Sequence, residues 1–348
     1  MKRYGNLWDR VVDLDNIREA HKNARKGKSM YRSVKRVDAD IESHIQQIHD
    51  MLVSGTYTTA SYRVFERMDN GKKRIIYALP YFPDRIIHHC IMQVVEPIWQ
   101  ATFVRDTYAS MKGRGVHDGV CRIKDALRKD PDNTQYCLKM DVQQFYPSID
   151  HGVLKAVIRR KIKDARLLTL LDEIIDSVPS GVPIGNYLSQ YFGNLFLSAI
   201  DHAAKEQLRL KYYYRYCDDI VVLGGSKGQL HEVRRWFTEE LEAIGLRLKP
   251  NWQIFPVESR GVDFLGYRFF HKKTLVRKRI ALKFKLQMRK VRKNWHRINR
   301  VSLLSSVMSY YGWLKFANAG RLFLSHVTPE LRRRIRWRAG STLEGALT

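Results

Sequence analysis

Acidic residues are nearly missing from the last quarter of the chain. Between Phe264 and Pro329 there is no Asp or Glu, and Glu330 and Glu344 are the only acids after Asp263. A ribonuclease H or a metal-dependent endonuclease needs several carboxylates to hold its cations. We therefore expect neither nuclease in this segment.

Cysteine and long apolar runs are also scarce. The four cysteines, Cys90, Cys121, Cys137 and Cys217, show no Cys-x-x-Cys spacing, which argues against a zinc site or a disulfide framework. No apolar run reaches the length of a membrane span, and the first residues lack a signal-peptide core. The sequence predicts a cytoplasmic protein with no membrane partner.

Positive charge is the most marked feature of the composition. Sixty-two Lys and Arg stand against 35 Asp and Glu, giving a net charge of +27 and a pI near 10.0. Such a charge steers a protein toward polyanions and makes binding depend on salt. Between residues 272 and 293, basic residues are interleaved with Leu282, Phe284, Leu286, Met288 and Val291, with Trp295 just beyond. This pattern predicts a helix with one apolar and one basic side, which also occurs at membrane surfaces and in calmodulin targets.

Two acids interrupt an apolar segment near the middle of the chain. Asp218 and Asp219 stand between an aromatic and an aliphatic run in residues 213–223, and both runs predict β-strands. Like charges at a hairpin tip repel, so the pair stabilises a turn poorly but can bind a divalent metal. A solvated Asp-rich turn is the alternative.

A further acid, Asp141, ends the predicted buried strand 136–142, and a helix is expected to start near Asp150. Because neighbouring strand residues face opposite sides, we expect Asp218 to pair with Asp141 as a direct metal ligand and Asp219 to be the outer partner. Two cations about 3.5–4 Å apart, Mg²⁺ with Mn²⁺ as an alternative, would activate a 3′-hydroxyl and stabilise a leaving pyrophosphate.

Tyr-Cys-Asp-Asp at 216–219, together with Asp141-Val-Gln-Gln-Phe-Tyr, resembles the palm of a reverse transcriptase. Four more segments resemble that family in the same order, and the likeness covers roughly residues 30 to 320. These segments are Gly71–Ile76, Pro83–His88, Ile184–Gln190 and Phe264–Tyr267. The resemblance implies an RNA-directed DNA polymerase whose partners are template RNA, an RNA–DNA hybrid and dNTPs.

Individual roles follow from the same resemblance. Asp141, Asp218 and Asp219 would be catalytic and, with Val142, would bind the metals. The nucleotide-binding residues would be Lys72, Arg74, Tyr146, Ile184, Gly185, Gln190 and Lys249. The nucleic-acid-binding residues would be Arg85, Phe264, Gly266, Tyr267, Lys285, Arg289 and Arg292. Tyr146 would select deoxynucleotides, and Lys249 would protonate pyrophosphate. Ordinary strand charge or core packing is the alternative for several of them.

The subfamily is indicated by Ile184-Gly185-x-x-x-Ser189-Gln190, where most retroviral and group II intron enzymes carry Gln-Gly-x-x-x-Ser-Pro. The Ile and Gln form resembles the reverse transcriptases of diversity-generating retroelements. That resemblance implies a bacterial or phage-encoded enzyme making error-prone cDNA for mutagenic retrohoming, with a small helical accessory protein. A defence or retron reverse transcriptase and a non-catalytic RNA-binding protein on a polymerase scaffold remain the alternatives.

The expected architecture is a right-hand α/β (α+β) polymerase fold with fingers, palm and helical thumb. We assign residues 1–134 to an N-terminal extension and fingers, and 135–265 to the palm, with 151–180 as a fingers segment. Residues 266–348 form the thumb and a basic tail. Within these, we predict helices over 17–36, 38–53, 84–99 and 117–129, and a β-hairpin over 56–79 that turns at Asn70-Gly71.

Overall fold

The computed structural model describes residues 2–69, 71–294 and 297–333. The chain forms two compact units, each assembled from three separate stretches of sequence. The first unit contains Met1–Met111, Asp141–Lys211 and Arg235–Pro250, and the second contains Lys112–Met140, Tyr212–Arg234 and Asn251–Thr348.

Helices and strands both contribute, as the sequence predicts. The helices are α1 (Trp8–Val12), α2 (Leu14–Ala24), α3 (Arg32–Ala39), α4 (Ile41–Val53), α5 (Ile86–Gln100), α6 (Val116–Lys129), α7 (His151–Arg159), α8 (Ala165–Asp176), α9 (Ser189–Glu206), α10 (Lys227–Ala243), α11 (Val257–Arg260), α12 (Lys278–Asn294), α13 (Arg300–Leu314) and α14 (Gly320–His326). The strands are β1 (Arg63–Asp69), β2 (Lys72–Ala78), β3 (Tyr136–Asp141), β4 (Tyr213–Tyr216), β5 (Asp219–Gly224), β6 (Gln253–Pro256), β7 (Val262–Phe264), β8 (Tyr267–Phe269) and β9 (Thr274–Val276).

The N-terminal segment is helical but is divided differently from the prediction. α2 starts where the Asp13 carboxylate accepts a hydrogen bond from the Asn16 N–H at 2.9 Å, an ordinary N-cap. The predicted helix over 17–36 is interrupted, because the chain leaves α2 after Ala24 and turns through Gly27 at φ 70°. Glycine adopts this left-handed conformation at little cost and commonly ends helices.

The predicted hairpin is present as β1 and β2, which pair in antiparallel register from Arg63 with Ala78 to Asp69 with Lys72. Gly71 lies in the turn at φ 80°, whereas Asn70 is outside the described residues. The side chains of residues 63–68 and 73–75 are exposed to solvent, and those of residues 76–78 are half-buried.

The central sheet has the strand order β4-β5-β3-β6. β3 pairs with β6 in antiparallel register, from Tyr136 with Pro256 to Lys139 with Gln253. Cys137, Leu138 and Met140 of β3 are buried, as are the aliphatic residues of β5. The burial of these two strands accounts for the apolar runs around the acids in the sequence.

Helices α7, α8 and α9 belong to the first unit. Asp150 caps α7 by accepting a hydrogen bond from the Val153 N–H at 2.8 Å, at the predicted starting point of this helix. Asp164 caps α8 and also accepts from the N–H groups of Leu7 and Trp8, at 2.7 and 3.0 Å. A single carboxylate thus fixes α8 and α1 together.

The C-terminal part of the second unit contains the small sheet β7-β8-β9 and the helices α12 to α14. Phe284, Met288 and Val291 of α12 are buried in a cluster with residues of α13 and α14. The prediction of an apolar side for this helix is only partly correct, since Leu282 and Leu286 are 47% and 54% exposed. They lie on the solvent side with the basic residues, and Trp295 is outside the described residues.

Across the described ranges, no helix combines the length and the apolar character needed to cross a membrane. The distal part of the basic tail, residues 334–348, lies outside the described residues.

Candidate active site

Asp141 is the last residue of β3 and marks the point where the chain leaves the central sheet. Its main-chain carbonyl accepts a hydrogen bond from the Lys249 N–H at 2.8 Å. The next residue, Val142, is fully buried and forms an isolated bridge with Leu248. The main chain on both sides of the carboxylate is therefore fixed by the segment 247–249, while the side chain of Asp141 stays 35% exposed.

The Tyr216-Cys217-Asp218-Asp219 segment forms the tight turn between β4 and β5. Tyr216 pairs with Asp219, and Cys217 is at φ 52°, a left-handed value that two-residue hairpin loops commonly use. Arg215 is fully buried and its Nη1 donates to the Cys217 carbonyl at 2.9 Å. A buried guanidinium thus supports the turn that carries the two acids, and both acids are half-buried.

The carboxylates of Asp141 and Asp219 each have a lysine beside them. Lys249 Nζ forms a short ion pair with Asp141 Oδ1, and Lys139 Nζ lies 3.5 Å from Asp219 Oδ2. Lys139 also donates to the main-chain carbonyl of Asp263. All four side chains are 24–35% exposed, so these pairs are partly screened by solvent and each contributes modestly to stability.

The donor set fits hard divalent cations, because carboxylate and main-chain oxygens are the ligands that Mg²⁺ prefers. β3, which ends in Asp141, and β5, which begins with Asp219, are hydrogen-bonded neighbours in one sheet. Within the described residues, no three His, Cys, Asp or Glu side chains converge into a ready cation site. Lysine ammonium groups are the cations next to Asp141 and Asp219 in this structure, so a metal at Asp141 would displace Lys249.

The predicted triphosphate-binding residues lie on β2. Arg74 is exposed and stands opposite Arg67 in the hairpin, while Lys72 stands opposite Asp69. The adjacent residue Lys73 forms an ion pair with Glu66 at 2.7 Å.

The loop around Ile184 is attached to the same hairpin. The Ile184 carbonyl accepts a hydrogen bond from the Tyr77 N–H at 2.9 Å, and Gly185 has φ 117°. A Cβ at Gly185 would lie 2.7 Å from the Tyr77 carbonyl oxygen. The sequence predicts that this glycine lets the main chain approach a nucleotide, and the close approach that the structure contains is to β2.

Tyr146 and Gln190 lie on either side of that loop in sequence. Tyr146 is half-buried and begins a short 3₁₀ turn, and its carbonyl accepts from the Val182 N–H at 2.9 Å. Gln190 is exposed in the first turn of α9 and accepts a hydrogen bond from Ser110 Oγ. Gly193, one turn further along α9, leaves room for the rings of Phe145 and Tyr146.

The predicted primer-binding hairpin is the turn between β7 and β8. Phe264 and Tyr267 are fully buried, and the Tyr267 hydroxyl donates to the Trp313 carbonyl at 2.8 Å. Because both rings belong to the core, their side chains do not reach nucleic acid in this conformation. Leu265 and Gly266, at φ 52° and 86°, form the tip, so the main chain of the turn is the remaining surface for the predicted contact.

The remaining predicted nucleic-acid residues differ in their surroundings. Arg85 is partly buried, its Nε donates to the Ala24 carbonyl at 3.4 Å, and burial lowers the pKa of its guanidinium. Lys285, Arg289 and Arg292 are all exposed on α12. Arg85 thus has a structural partner, whereas the three α12 residues face solvent with their charges available.

Lys139, Arg215 and Asn186 are functional candidates that the sequence reasoning missed. Arg215 carries a signal that could have been found, since it is the single charged residue of β4. Lys139 is the single cation of β3, the strand that ends in Asp141. Asn186 carries no such signal. Its Nδ2 donates to the Tyr62 hydroxyl at 3.2 Å, a contact between segments 124 residues apart.

The four-stranded sheet has an acid at the end of β3 and two acids at the turn between β4 and β5, an arrangement that is typical of a polymerase palm. The model of the family "Reverse transcriptase (RNA-dependent DNA polymerase)" matches residues 66–269, more than half of the chain. The chain belongs to this family. It is an RNA-directed DNA polymerase with the right-hand fold.

Two relatives and one solved structure are among the proteins that are similar to this chain. Protein YkfC of Escherichia coli K12 is 26% identical over 283 residues, covering 68% of this chain and 74% of YkfC. The group II intron-encoded protein LtrA of Lactococcus lactis subsp. cremoris is 25% identical over 186 residues, covering 50% of this chain and 30% of LtrA. The apo telomerase of Candida tropicalis is similar in fold, with a TM-score of 0.53 at 15% identity, covering 83% of this chain and 59% of the telomerase chain.

Proposed function

We propose that the chain copies a template RNA into error-prone cDNA for a diversity-generating retroelement, by two-metal phosphoryl transfer at Asp141, Asp218 and Asp219. The observation that carries the catalytic part is the strand order, in which the strand ending in Asp141 is hydrogen-bonded to the strand beginning with Asp219. Membership of the reverse transcriptase family supports it.

Asp141 and Asp218 would hold the cations, with the Val142 carbonyl as a further oxygen ligand and Asp219 as the outer partner. Mg²⁺ held there would supply charge that lowers the pKa of the primer hydroxyl and stabilises the leaving pyrophosphate. Lys249 would take a second role. With Asp141 bound to a cation, the Lys249 ammonium group would donate a proton to the pyrophosphate.

The incoming dNTP would be bound by residues of the first unit. Lys72 and Arg74 on β2 supply positive charge for the triphosphate, since a guanidinium binds phosphate oxygens in a forked geometry. Tyr146 would exclude a 2′-hydroxyl. Ile184, Gly185 and Gln190 would line the nascent base pair, and Ile184 offers it no hydrogen-bonding group.

Template RNA and the RNA–DNA hybrid would be bound through the second unit. The exposed residues Lys285, Arg289 and Arg292 of α12 carry the charge, and Leu282 and Leu286 lie exposed on the same helix. The Leu265-Gly266 turn would contact the primer with its main chain. Arg85, which belongs to the first unit, would contact the template.

The proposal of the diversity-generating subtype is based on the residues Ile184-Gly185 and Ser189-Gln190. A small helical accessory protein and a bacterial or phage source belong to this subtype. The second candidate is a bacterial defence or retron-type reverse transcriptase. The similarity to the group II intron-encoded LtrA supports an enzyme outside the diversity-generating subtype. A non-catalytic RNA-binding protein is the third, and three intact acids argue against it.

Primer extension on an RNA template tests the catalytic proposal. Asp218→Asn should abolish extension in Mg²⁺ while leaving RNA binding nearly unchanged, because binding depends on basic residues elsewhere. Asp132→Asn, at an exposed acid of the same unit, is the matched control and should extend like wild type. Near-normal extension by Asp218→Asn would contradict the two-metal assignment. Sequencing of wild-type cDNA then separates the subtypes, since only the diversity-generating type should misincorporate frequently opposite adenine.

A further inference from the structure

The second unit contains a cavity of about 310 Å³ that lies outside the predicted catalytic residues. One wall is the exposed face of α6, and the other is the turn between β8 and β9 with Asn318. This volume is at the low end of the range of about 300–1,000 Å³ for ligand sites, enough for a nucleotide and too small for a duplex.

Positive charge dominates the walls of this cavity. Lys124 and Arg128 lie one turn apart on α6, and Lys272 and Lys273 lie on the opposite turn. Asp125 is the single acid among the lining residues, and its carboxylate is paired with Arg128 at 3.3 Å and Lys129 at 3.6 Å. The side chains of the four cations are all exposed, and the cations outnumber the acids that line the cavity.

Hydrogen bonds of other residues hold the walls in place, while Lys124 Nζ donates to the Phe316 carbonyl at 3.3 Å. His271 is fixed from two sides, with its N–H and Nδ1 on Glu258 at 3.0 and 2.6 Å and its Nε2 on Thr134 at 3.1 Å. Thr274 and Asn318 exchange two hydrogen bonds of 2.7 Å. The cavity is therefore a built feature of the second unit.

An aromatic ring completes the lining. The Phe270 ring is partly exposed, and Lys273 Nζ lies 5.0 Å from its centroid. Cations that neutralise phosphates next to a ring on which a base can stack are the two elements of single-stranded nucleic-acid binding. A free phosphate ion would need the cations but not the ring.

We propose that this cavity binds the phosphodiester backbone of a single-stranded nucleic acid, with one base on Phe270. It is a second contact surface, apart from the acids and from α12. The proposal rests on the proposed function only in that a reverse transcriptase handles single strands during copying, and its test does not need catalysis.

Cys121 provides the reporter, since it is an exposed free thiol in the cavity wall. The Asp218→Asn chain is treated with iodoacetamide, and the rate of Cys121 alkylation is followed by mass spectrometry. Oligouridylate, the matching DNA oligonucleotide and pyrophosphate are added in separate arms. We expect several-fold slower alkylation with either oligonucleotide and little change with pyrophosphate.

Charge-reversal variants connect the protection to the cavity. Lys272→Glu with Lys273→Glu, and separately Lys124→Glu with Arg128→Glu, should remove the protection and lower the log–log salt slope of oligonucleotide binding by about 1.4, from about 0.7 for each neutralised phosphate. Lys227→Glu with Arg235→Glu on α10 changes the charge equally at exposed sites outside the cavity and should leave protection intact.

Each outcome decides the proposal. Protection by an oligonucleotide that disappears only in the cavity variants supports it, and the comparison of RNA with DNA identifies the strand. Equal protection by pyrophosphate would make the cavity a small-phosphate site and overturn it. Alkylation that no oligonucleotide slows would overturn it as well, and neither result would bear on primer extension.

Discussion

The Tyr77 N–H donates to the Ile184 carbonyl at 2.9 Å, which joins strand β2 to the loop preceding α9 through the main chain. In the same loop, the Asn186 side chain donates a hydrogen bond of 3.2 Å to the hydroxyl of Tyr62, the residue before β1. The proposed triphosphate residues on β2 and the proposed base-pair residues 184–185 are therefore positioned by a shared contact. Displacing either segment should disturb the other.

Gly185→Ala tests this connection. The new Cβ would lie 2.7 Å from the Tyr77 carbonyl oxygen, at a φ of 117° that costs a non-glycine residue about 1–3 kcal/mol. We expect primer extension to fall at least about tenfold, which corresponds to about 1.4 kcal/mol. Gly245→Ala is the control, because Gly245 has φ 79° with nothing within 4 Å of a Cβ. Equal extension by both variants would show that the contact with Tyr77 has no role.

The sequence predicted those parts of the site that are local. Asp141 ends a buried strand, and Asp218 and Asp219 follow a run of aromatic residues, so strand and turn patterns were sufficient to locate them. The Asp150 cap and the β1–β2 hairpin were predictable for the same reason. In each case the determining residues lie within a few positions of one another.

Contacts between distant segments were not predictable. Nothing near Lys249 indicates that it pairs with Asp141, 108 residues away, and nothing near Tyr77 indicates Ile184. The burial of Tyr267 likewise depends on α13, through Trp313. The sequence could give the chemical character of these residues, but their burial is set by packing between elements.

Lys249→Met should make the enzyme easier to load with metal. The Lys249 ammonium competes with a cation for Asp141. Because this ion pair is partly exposed, it contributes at most about 1 kcal/mol of interaction free energy. Its removal should therefore lower the Mg²⁺ concentration at half-maximal extension by up to about fivefold. The maximal rate should fall too if Lys249 donates a proton to pyrophosphate. A Mg²⁺ titration measures both, with Lys35→Met on exposed α3 as control. An unchanged half-maximal concentration would show that the ion pair does not oppose metal binding.

The exposed charges of α12 should determine how binding depends on salt. Reversal of Lys285, Arg289 and Arg292 to Glu should weaken hybrid binding and reduce the log–log salt slope by about 0.9 for each phosphate that the helix no longer neutralises. Fluorescence anisotropy across a salt series measures the slope, and Lys227→Glu with Arg235→Glu gives the effect of charge reversal elsewhere. Binding with the wild-type slope would point to a membrane or a protein as the partner of this helix.

Acid should destabilise the first unit through His88. Burial lowers the pKa of His88 from 6.5 to about 3. Between pH 3 and pH 6.5 the imidazole is therefore protonated in the unfolded chain but neutral in the folded chain. Stability is therefore complete above pH 6.5 and is lost as the pH falls toward 3, by about 2 kcal/mol from this group at pH 5. Urea unfolding at pH 7 and pH 5 measures the loss, and His88→Gln should reduce it. His231→Gln, at an exposed histidine, should not.

Fidelity is the property that Ile184 should control. In accurate family members a glutamine at this place can hydrogen-bond the sugar of the incoming nucleotide, whereas Ile184 has no donor or acceptor. A hydrogen bond contributes about 1 kcal/mol, and its loss should slow correct insertion up to about tenfold while mispairs, which never used it fully, are less affected. Wild type should therefore be slow and error-prone, and Ile184→Gln faster and more accurate. The test is to sequence cDNA from both proteins on a template containing all four bases. If wild type copies adenine as accurately as the other bases, the diversity-generating proposal fails; if Ile184→Gln keeps a high error rate, another residue sets the fidelity.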